Sequence, residues 1–412
     1  MARRQDGFTL VELLITMVVF VFFSVAASQM FAGLLTQFKQ QSKMAETSIE
    51  GVVGLEILRQ DIDHAGYGLP WNIIGVADWA SLANYNEAIS TGGSANPTAF
   101  NDGNPASNLP VPANTKRAPR AILSGDNTGI NGSDYLVIKS IIIGKSANNF
   151  NAGKWQFFHT GTSNNMKTWY TPITEYVCRD DNGNEYPNAR TIIISPGTND
   201  SNSKSLIVAG GTYYTGADNY TNLAAFQPPA GSPENRIMYG VDTFNNLRMP
   251  FNRADYYIKI PSTGMPQRCA PNTGILYKAI LEQNATSSSN QFNELPLLDC
   301  VADMQVNFWL DTDGDGAVNW PPSDAISGLT AQRVRDQVKE IRVYIVAQEG
   351  QKDTNYDFSS GSAREFLSAT EDLDVNSRIV EFANLKDLVG DPDYKFYRWK
   401  LYTIVVTPNN LR

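Results

Sequence analysis

Gly7-Phe8-Thr9-Leu10-Val11-Glu12-Leu13-Leu14 decides how the rest of this chain is read. It follows a short leader with Arg3, Arg4 and Asp6. It opens an apolar run in which Glu12 is the one charged residue as far as Leu35. From Phe8 that run is 28 residues, which as a helix reaches about 42 Å against the roughly 30 Å of a bilayer's hydrocarbon core. A carboxylate in or beside such a medium needs a specific partner. The basic residues precede the run, which predicts a cytoplasmic N-terminus and an extracytoplasmic location for everything after Leu35. A secretory signal has a shorter apolar region, with its cleavage site behind it. On the helix pattern alone, a plain single-pass anchor with an acid near the interface fits equally well.

The set positions of Gly7, Phe8 and Glu12 resemble the class III signal of type IV pilins and pseudopilins. The resemblance implies that a prepilin peptidase cuts between Gly7 and Phe8, and that the new Phe8 amine is methylated. Glu12 is then the fifth residue of the mature chain. It is implied to pair with the Phe8 amine of a neighbouring subunit, where opposite charges compensate each other in lipid and fix helix register.

The helical pattern continues beyond the membrane. Ala45, Ile49, Val52, Leu55, Leu58 and Ile62 recur at spacings of three and four, which predicts one apolar stripe packed on a soluble domain. Gly66, Gly68 and Pro70 end the helix. No proline lies between Phe8 and Leu69, so Gly33, Gly51 and Gly54 are the weak points before the helix end. His64 reads as a surface or capping residue near that end. Leu58-Arg59-Gln60-Asp61 through Ala65-Gly66-Tyr67 is similar to the helix end of PilW-type minor pilins. Ile275–Lys278, Leu295–Val306, Asp311–Gly316, Lys339–Val346 and Tyr397–Arg412 follow the same family's order. Residues 70–265 show no usable resemblance.

Charged residues are 18% of the chain and the formal net charge is −9. The leader sums to +1, so the mature side chains carry about −10. This acidity argues against nucleic acid as the primary partner. The head is rich in Asn, Ser, Thr, Gly and aromatics. Asn84–Asn131, Pro196–Ser203 and Gly216–Asn235 read as loops, the first with little core of its own. Strands are expected at Tyr135–Ile143, Lys154–Phe158, Arg190–Ile194, Ser205–Val208, Tyr256–Ile260, Gly274–Leu281, Ala302–Leu310, Lys339–Ala347 and Arg398–Thr407. Ala331–Gln337 is a short helix or turn. The predicted class is α+β, a type IV pilin-like long N-terminal helix packed on a large antiparallel β-rich head. The expected segments are a leader over 1–7, a membrane helix over 8–35 and its amphipathic continuation over 36–66. A β-rich head with long loops then occupies 67–265, and a C-terminal β region occupies 266–412.

Asp311, Asp313 and Asp315, with Gly316, match the first half of an EF-hand-type loop. A structural calcium ion would draw on these three carboxylates, the Ala317 carbonyl and Asn319. Pro322 stands where the bidentate acid belongs, so Asp324 or a distant acid would close the shell. An Asp/Gly-rich turn is the competing reading. Asp180–Glu185 reads as an ordinary hairpin turn. An oxidising compartment permits one disulfide among Cys178, Cys269 and Cys300, with Cys269–Cys300 preferred because the two flank an expected hairpin. Catalytic motifs fail. Gly144-Lys145-Ser146 lacks its phosphate-loop partner because Lys139 occupies the first glycine position. Gly161–Thr168 has Met166 at the second. The two histidines, His64 and His159, share no motif. No enzyme is expected.

The resemblance therefore implies a minor type IV pilin that acts in pilus assembly within a tip complex. Its implied partners are prepilin peptidase, other minor pilins, a tip adhesin, the inner-membrane assembly platform and membrane lipid. It implies an inner-membrane location with the head in the periplasm, then the pilus tip at the cell surface. A J-type pseudopilin of type II secretion is the nearest alternative. A tip adhesin or ligand-binding module using Trp155, Phe157, Phe158, Trp169 and Tyr170 is the alternative from another class.

Overall fold

A computed structural model describes residues 9–82, 85–89, 96–102, 118–160, 166–168, 177–180, 182–184, 186, 188–197, 204–216, 225–228, 232–286, 291–358, 368–369, 380–381, 385–390 and 392–411. The helix α1 runs unbroken from Leu10 to Asp63, 54 residues. His64 is its C-cap, and the imidazole Nδ1 lies 2.8 Å from the Gln60 carbonyl. Gly66 and Gly68 then take φ of 79° and 65°, the left-handed turn that releases the chain toward the sheets.

The face of α1 that packs on the head differs from the expected stripe. Leu55, Leu58 and Ile62 are buried as expected, and Ala65 and Leu69 extend them. Ala45, Ile49 and Val52 point outward. Thr47, Gly51 and Gly54 face the sheet instead. A Cβ on Gly54 would lie 1.9 Å from the Leu297 carbonyl oxygen, and one on Gly51 would lie 3.1 Å from Leu298 Cδ1. These glycines are therefore sites of close helix-to-strand approach, and the helix stays intact through them. Thr47 Oγ1 accepts the Gly350 amide at 3.2 Å. A hydrophobic periodicity read along a helix cannot find this contact, because its residues are small or polar.

Fifteen strands form among the described residues. They are β1 Asn72–Ile74, β2 Ile122–Gly125, β3 Tyr135–Ser140, β4 Trp155–Thr160, β5 Met166–Thr168, β6 Arg190–Ser195, β7 Ser205–Ile207 and β8 Arg236–Asp242, followed by β9 Asn252–Lys259, β10 Gly274–Leu281, β11 Phe292–Leu310, β12 Val338–Glu349, β13 Ser368–Ala369, β14 Val380–Glu381 and β15 Arg398–Val406. A seven-stranded sheet has the order β15-β12-β11-β10-β9-β3-β2, and a six-stranded sheet the order β1-β7-β6-β8-β4-β5. Their pairings are antiparallel except β1 with β7. All nine expected strands are present, eight within shifts of a few residues, while the one expected from Ala302 begins ten residues earlier at Phe292. Ala331–Gln337 is helical, with Val334 buried.

One core joins helix and sheets. Leu58 and Ile62 of α1 share it with Ile138, Leu276, Met304 and Ile345 of the larger sheet and Ile192, Ile194 and Val241 of the smaller. Each fully buried aliphatic side chain of this kind contributes about 1.5–3 kcal/mol. The larger sheet takes β2, β3 and β9 from 67–265 and the rest from 266–412, so residue 265 marks a change of sequence character and not a packing boundary. Asn84–Asn131 is also more than a loop. Within it Tyr85, Ala88, Phe100, Ala121, Ile122 and Leu123 are buried, and Ile122–Gly125 is an edge strand.

Candidate functional site

The N-terminal half of α1 is an apolar cylinder with no cover. Phe20, Phe22, Phe23 and Phe31 are 64–73% exposed, and none of the most apolar stretch of the helix is buried within the chain. By length and composition it can cross a membrane. Gly7 and Phe8 lie outside the described residues.

Glu12 has a local partner that the apolar context concealed. Thr9 is the N-cap of α1, and its Oγ1 accepts the Glu12 amide at 3.3 Å. Glu12 Oε2 accepts the Thr9 amide at 2.9 Å and the Thr9 hydroxyl at 2.9 Å. This capping box satisfies two of the backbone donors that every helix start leaves open. Thr-Leu-Val-Glu is a legible Ser/Thr-x-x-Glu signature, so the sequence contained the signal. Glu12 thus has a partner inside its own chain, and both bonds fall on Oε2.

At the other end of α1, Asp61 anchors the helix to the sheet. Its carboxylate meets Lys278 Nζ at 2.5 Å and the Tyr256 hydroxyl. Burial raises the Asp61 carboxyl, and it outweighs the opposing pull of Lys278 and Tyr256. Asp63 holds the C-terminal segment, accepting from Asn409 Nδ2 at 2.7 Å.

The acidic loop follows β11. One carboxylate oxygen from each of Asp311, Asp313 and Asp315 lies within 4.8 Å of the other two, a spacing compatible with one oxygen-ligated cation. The same loop is held by its own backbone. Asp311 accepts the amides of Gly314 at 2.7 Å and Gly316 at 3.1 Å, and Asp315 accepts that of Ala317 at 2.8 Å. Asn319 Oδ1 accepts the Thr312 hydroxyl at 2.8 Å, while its Nδ2 donates to Asp313 at 3.2 Å. Burial pushes the Asp311 carboxyl up, but the two glycine amides and Lys339 outweigh it and leave it below the ordinary range. Asp324 is not in this group. Ser323 pairs back onto Phe308 of β11, which carries Asp324 toward Asp126. There burial first, and the Asp324 charge second, raise the Asp126 carboxyl.

Cys269 and Cys300 form a disulfide with Cα atoms 4.9 Å apart, closing the β10–β11 hairpin at its base. Cys178 is buried outside it. Of the aromatic group, Trp155 and Phe157 meet edge-on at 5.2 Å. The Phe158 side chain, Trp169 and Tyr170 lie outside the described residues, as do Asp181 and Glu185 of the second turn.

A buried ion network was not legible beforehand. Lys139 Nζ meets Glu87 at 2.8 Å and Asp102 at 2.6 Å. Arg120 Nε binds Asp102 at 2.6 Å. Arg253 meets Glu87 at 3.0 Å and Asp255 at 2.7 Å. Tyr85 donates to Glu87 and Tyr135 to Asp255. Burial pushes the Asp102 carboxyl up, but Lys139 and Arg120 outweigh it and hold it low. Three acids face three bases, so the network closes on itself and fastens Glu87, Asp102 and Arg120 to the sheet.

Residues 2–28 match the family model described as the prokaryotic N-terminal methylation motif. The chain is type IV pilin-like at its N-terminus. This prepilin-type segment implies processing by prepilin peptidase and an assembly context, and its apolar helix is consistent with membrane anchoring. No curated protein and no solved structure gives a match. The long helix with an antiparallel β-rich head is the α+β pilin-like arrangement.

Proposed function

We propose that this chain is a minor type IV pilin of the PilW type, which acts in pilus assembly as part of a tip complex. The observation that carries the reading is the bare N-terminal half of α1 with one acid at its start. The prepilin peptidase would cut after Gly7 and methylate Phe8. The membrane half would then pack among the helices of other minor pilins, on the inner-membrane assembly platform, with the head in the periplasm. After assembly the head would stand at the pilus tip, and beneath an adhesin if one is present. The function is assembly and not catalysis. A J-type pseudopilin of type II secretion shares the same N-terminus, so a deletion strain scored for pili, twitching and secretion separates the two machines.

Two residues give direct tests. A Gly7→Val chain should stay unprocessed, with its leader seen by mass spectrometry. A Glu12→Ala chain should insert into the membrane but fail to enter pili. Normal piliation in that strain would remove the proposed charge pairing. Because Glu12 also caps α1, Glu12→Gln is the companion variant. It keeps a side-chain acceptor for Thr9 and removes the charge, so failure of both variants assigns the defect to charge and not to the cap.

We also propose calcium as a structural ion at Asp311, Asp313 and Asp315, with Asn319 beside them. It would relieve the mutual repulsion of three clustered carboxylates. Chelation should lower the melting temperature of the native chain and leave an Asp313→Asn variant unmoved; equal melting of the native chain with and without chelator refutes the ion.

A further inference from the structure

Trp71 and Lys204 stand side by side because β1 and β7 pair in parallel, with Asn72 opposite Ser205. The Trp71 amide donates to the Lys204 carbonyl at 2.9 Å. Lys204 Nζ lies 4.1 Å from the centroid of the Trp71 ring. Arg335, from the short helix Ala331–Gln337, brings its Cζ to 4.5 Å from the same centroid. Two cations are thus gathered on one indole where the smaller sheet meets the helix that leads into β12.

Neither cation has a carboxylate partner among the described residues, and Arg335 Nη1 is buried with no acceptor. Several other ring-stacked cations of this chain are built differently, although Lys395 on Tyr394 shares the lack of a carboxylate partner among the described residues. Arg342 on Trp309 is paired with Glu340, Arg398 on Tyr356 with Asp353, Lys400 on Tyr402 with Glu349 and Lys259 on Tyr277 with Glu294. The nearest acid to act on the pair is Asp336, whose charge favours Arg335 without forming an ion pair with it. Stacking on an indole is favourable for each cation, but it does not cancel the repulsion of the two charges.

We propose that Lys204 and Arg335, gathered on Trp71, bind an oxyanion. A phosphate, sulfate or carboxylate group would offset both charges, with the nitrogens of the guanidinium fork other than the enclosed Nη1 as the specific donors. Burial lowers Arg335 to about 10 and also lowers Lys204, to which the Arg335 charge adds. Both directions describe a site that an anion would relax. Lys204 also holds a left-handed φ of 45°, a strained setting for a lysine and one that recurs at functional positions. Free phosphate and an acidic sugar present the same chemistry.

The test is calorimetric titration of the full chain in detergent, at constant ionic strength, with inorganic phosphate in one arm, glucuronate in a second and glucose as the uncharged control. One anion site per chain is expected. Lys204→Gln and Arg335→Gln should each weaken it by about tenfold or more, from loss of a charge-assisted bond. Arg342→Gln, which removes a stacked cation that already has its carboxylate, should leave it unchanged. Tighter binding of glucuronate than of phosphate assigns the site to acidic saccharides, and the reverse assigns it to free oxyanions. Absence of binding to the native chain, or equal affinity in both variants, overturns the proposal. Lys204 sits at a strand start, so Lys204→Gln keeps the test decisive if Arg335→Gln does not fold.

Discussion

Asp134 is 1% exposed beside β3, and its two oxygens accept the amides of Asn127 at 2.9 Å and Val306 at 2.7 Å. Those bonds favour the charged form, but burial outweighs them and pushes the carboxyl up to about 7. The unfolded chain releases that proton near 3.9. The folded state therefore binds the proton more tightly, and the stability this group contributes is complete below about pH 4 and is lost as pH rises toward 7. A denaturant titration between pH 4 and pH 7 should show stability falling by a few kcal/mol from this site. Asp134→Asn, which cannot ionise, should flatten that slope. A slope unchanged in the variant would assign the pH dependence elsewhere. Glu12 teaches a related lesson. Its place behind a basic leader was plain from the sequence, and so was the Thr-x-x-Glu pattern. The apolar surroundings drew attention to the charge and away from the cap.

The helix α1 shows what an element's sequence does and does not reveal. Its length, its start and its end were legible, because apolar run, cap and glycine turn are all local features. The face it turns to the sheet was read correctly only from Leu55 onward. Before that, contact is made by Thr47, Gly51 and Gly54, whose value lies in lacking bulk. Gly54→Ala should push α1 off β11, since the new Cβ would lie 1.9 Å from the Leu297 oxygen. The expected cost is about 1–3 kcal/mol, seen as a lower melting temperature. Gly33→Ala has nothing within 4 Å and should leave melting unchanged. Equal effects of the two substitutions would mean that helix propensity, and not contact, governs both positions. Strand β8 was missed because it follows directly on a polar stretch, although Arg236–Asp242 carries apolar residues of its own.

Across the whole molecule, the buried ion network fastens residues 85–89 and 96–102 to the larger sheet. Lys139, Arg253 and Asp255 are fully buried on β3 and β9, and Glu87 and Asp102 come from the segment laid over them. Removing one charge leaves its partners buried and uncompensated. Glu87→Gln should therefore cost about 3–5 kcal/mol in chemical unfolding and expose residues 85–89 and 96–102 to protease before the rest of the head. Cleavage that instead begins elsewhere would show that the network stiffens the sheet and not the segment. In the sequence Lys139 stands out only as the residue that spoils a phosphate-loop motif, and its strand reads as a plain apolar run around one cation.

By itself the sequence determined the properties that act locally or along one direction. These are a prepilin-type start, a helix long enough to span a membrane, its capped and glycine-terminated ends, and most strands of an α+β head. Periodicity and turn chemistry are written in neighbouring residues, so they survive without coordinates. Tertiary structure alone decided which distant residues meet. It placed glycines against a strand and turned Asp324 toward Asp126. It closed three acids on three bases across more than 150 residues, and it gathered Lys204 and Arg335 on Trp71. Burial and electrostatic pairing are set by through-space distance, which chain order does not encode.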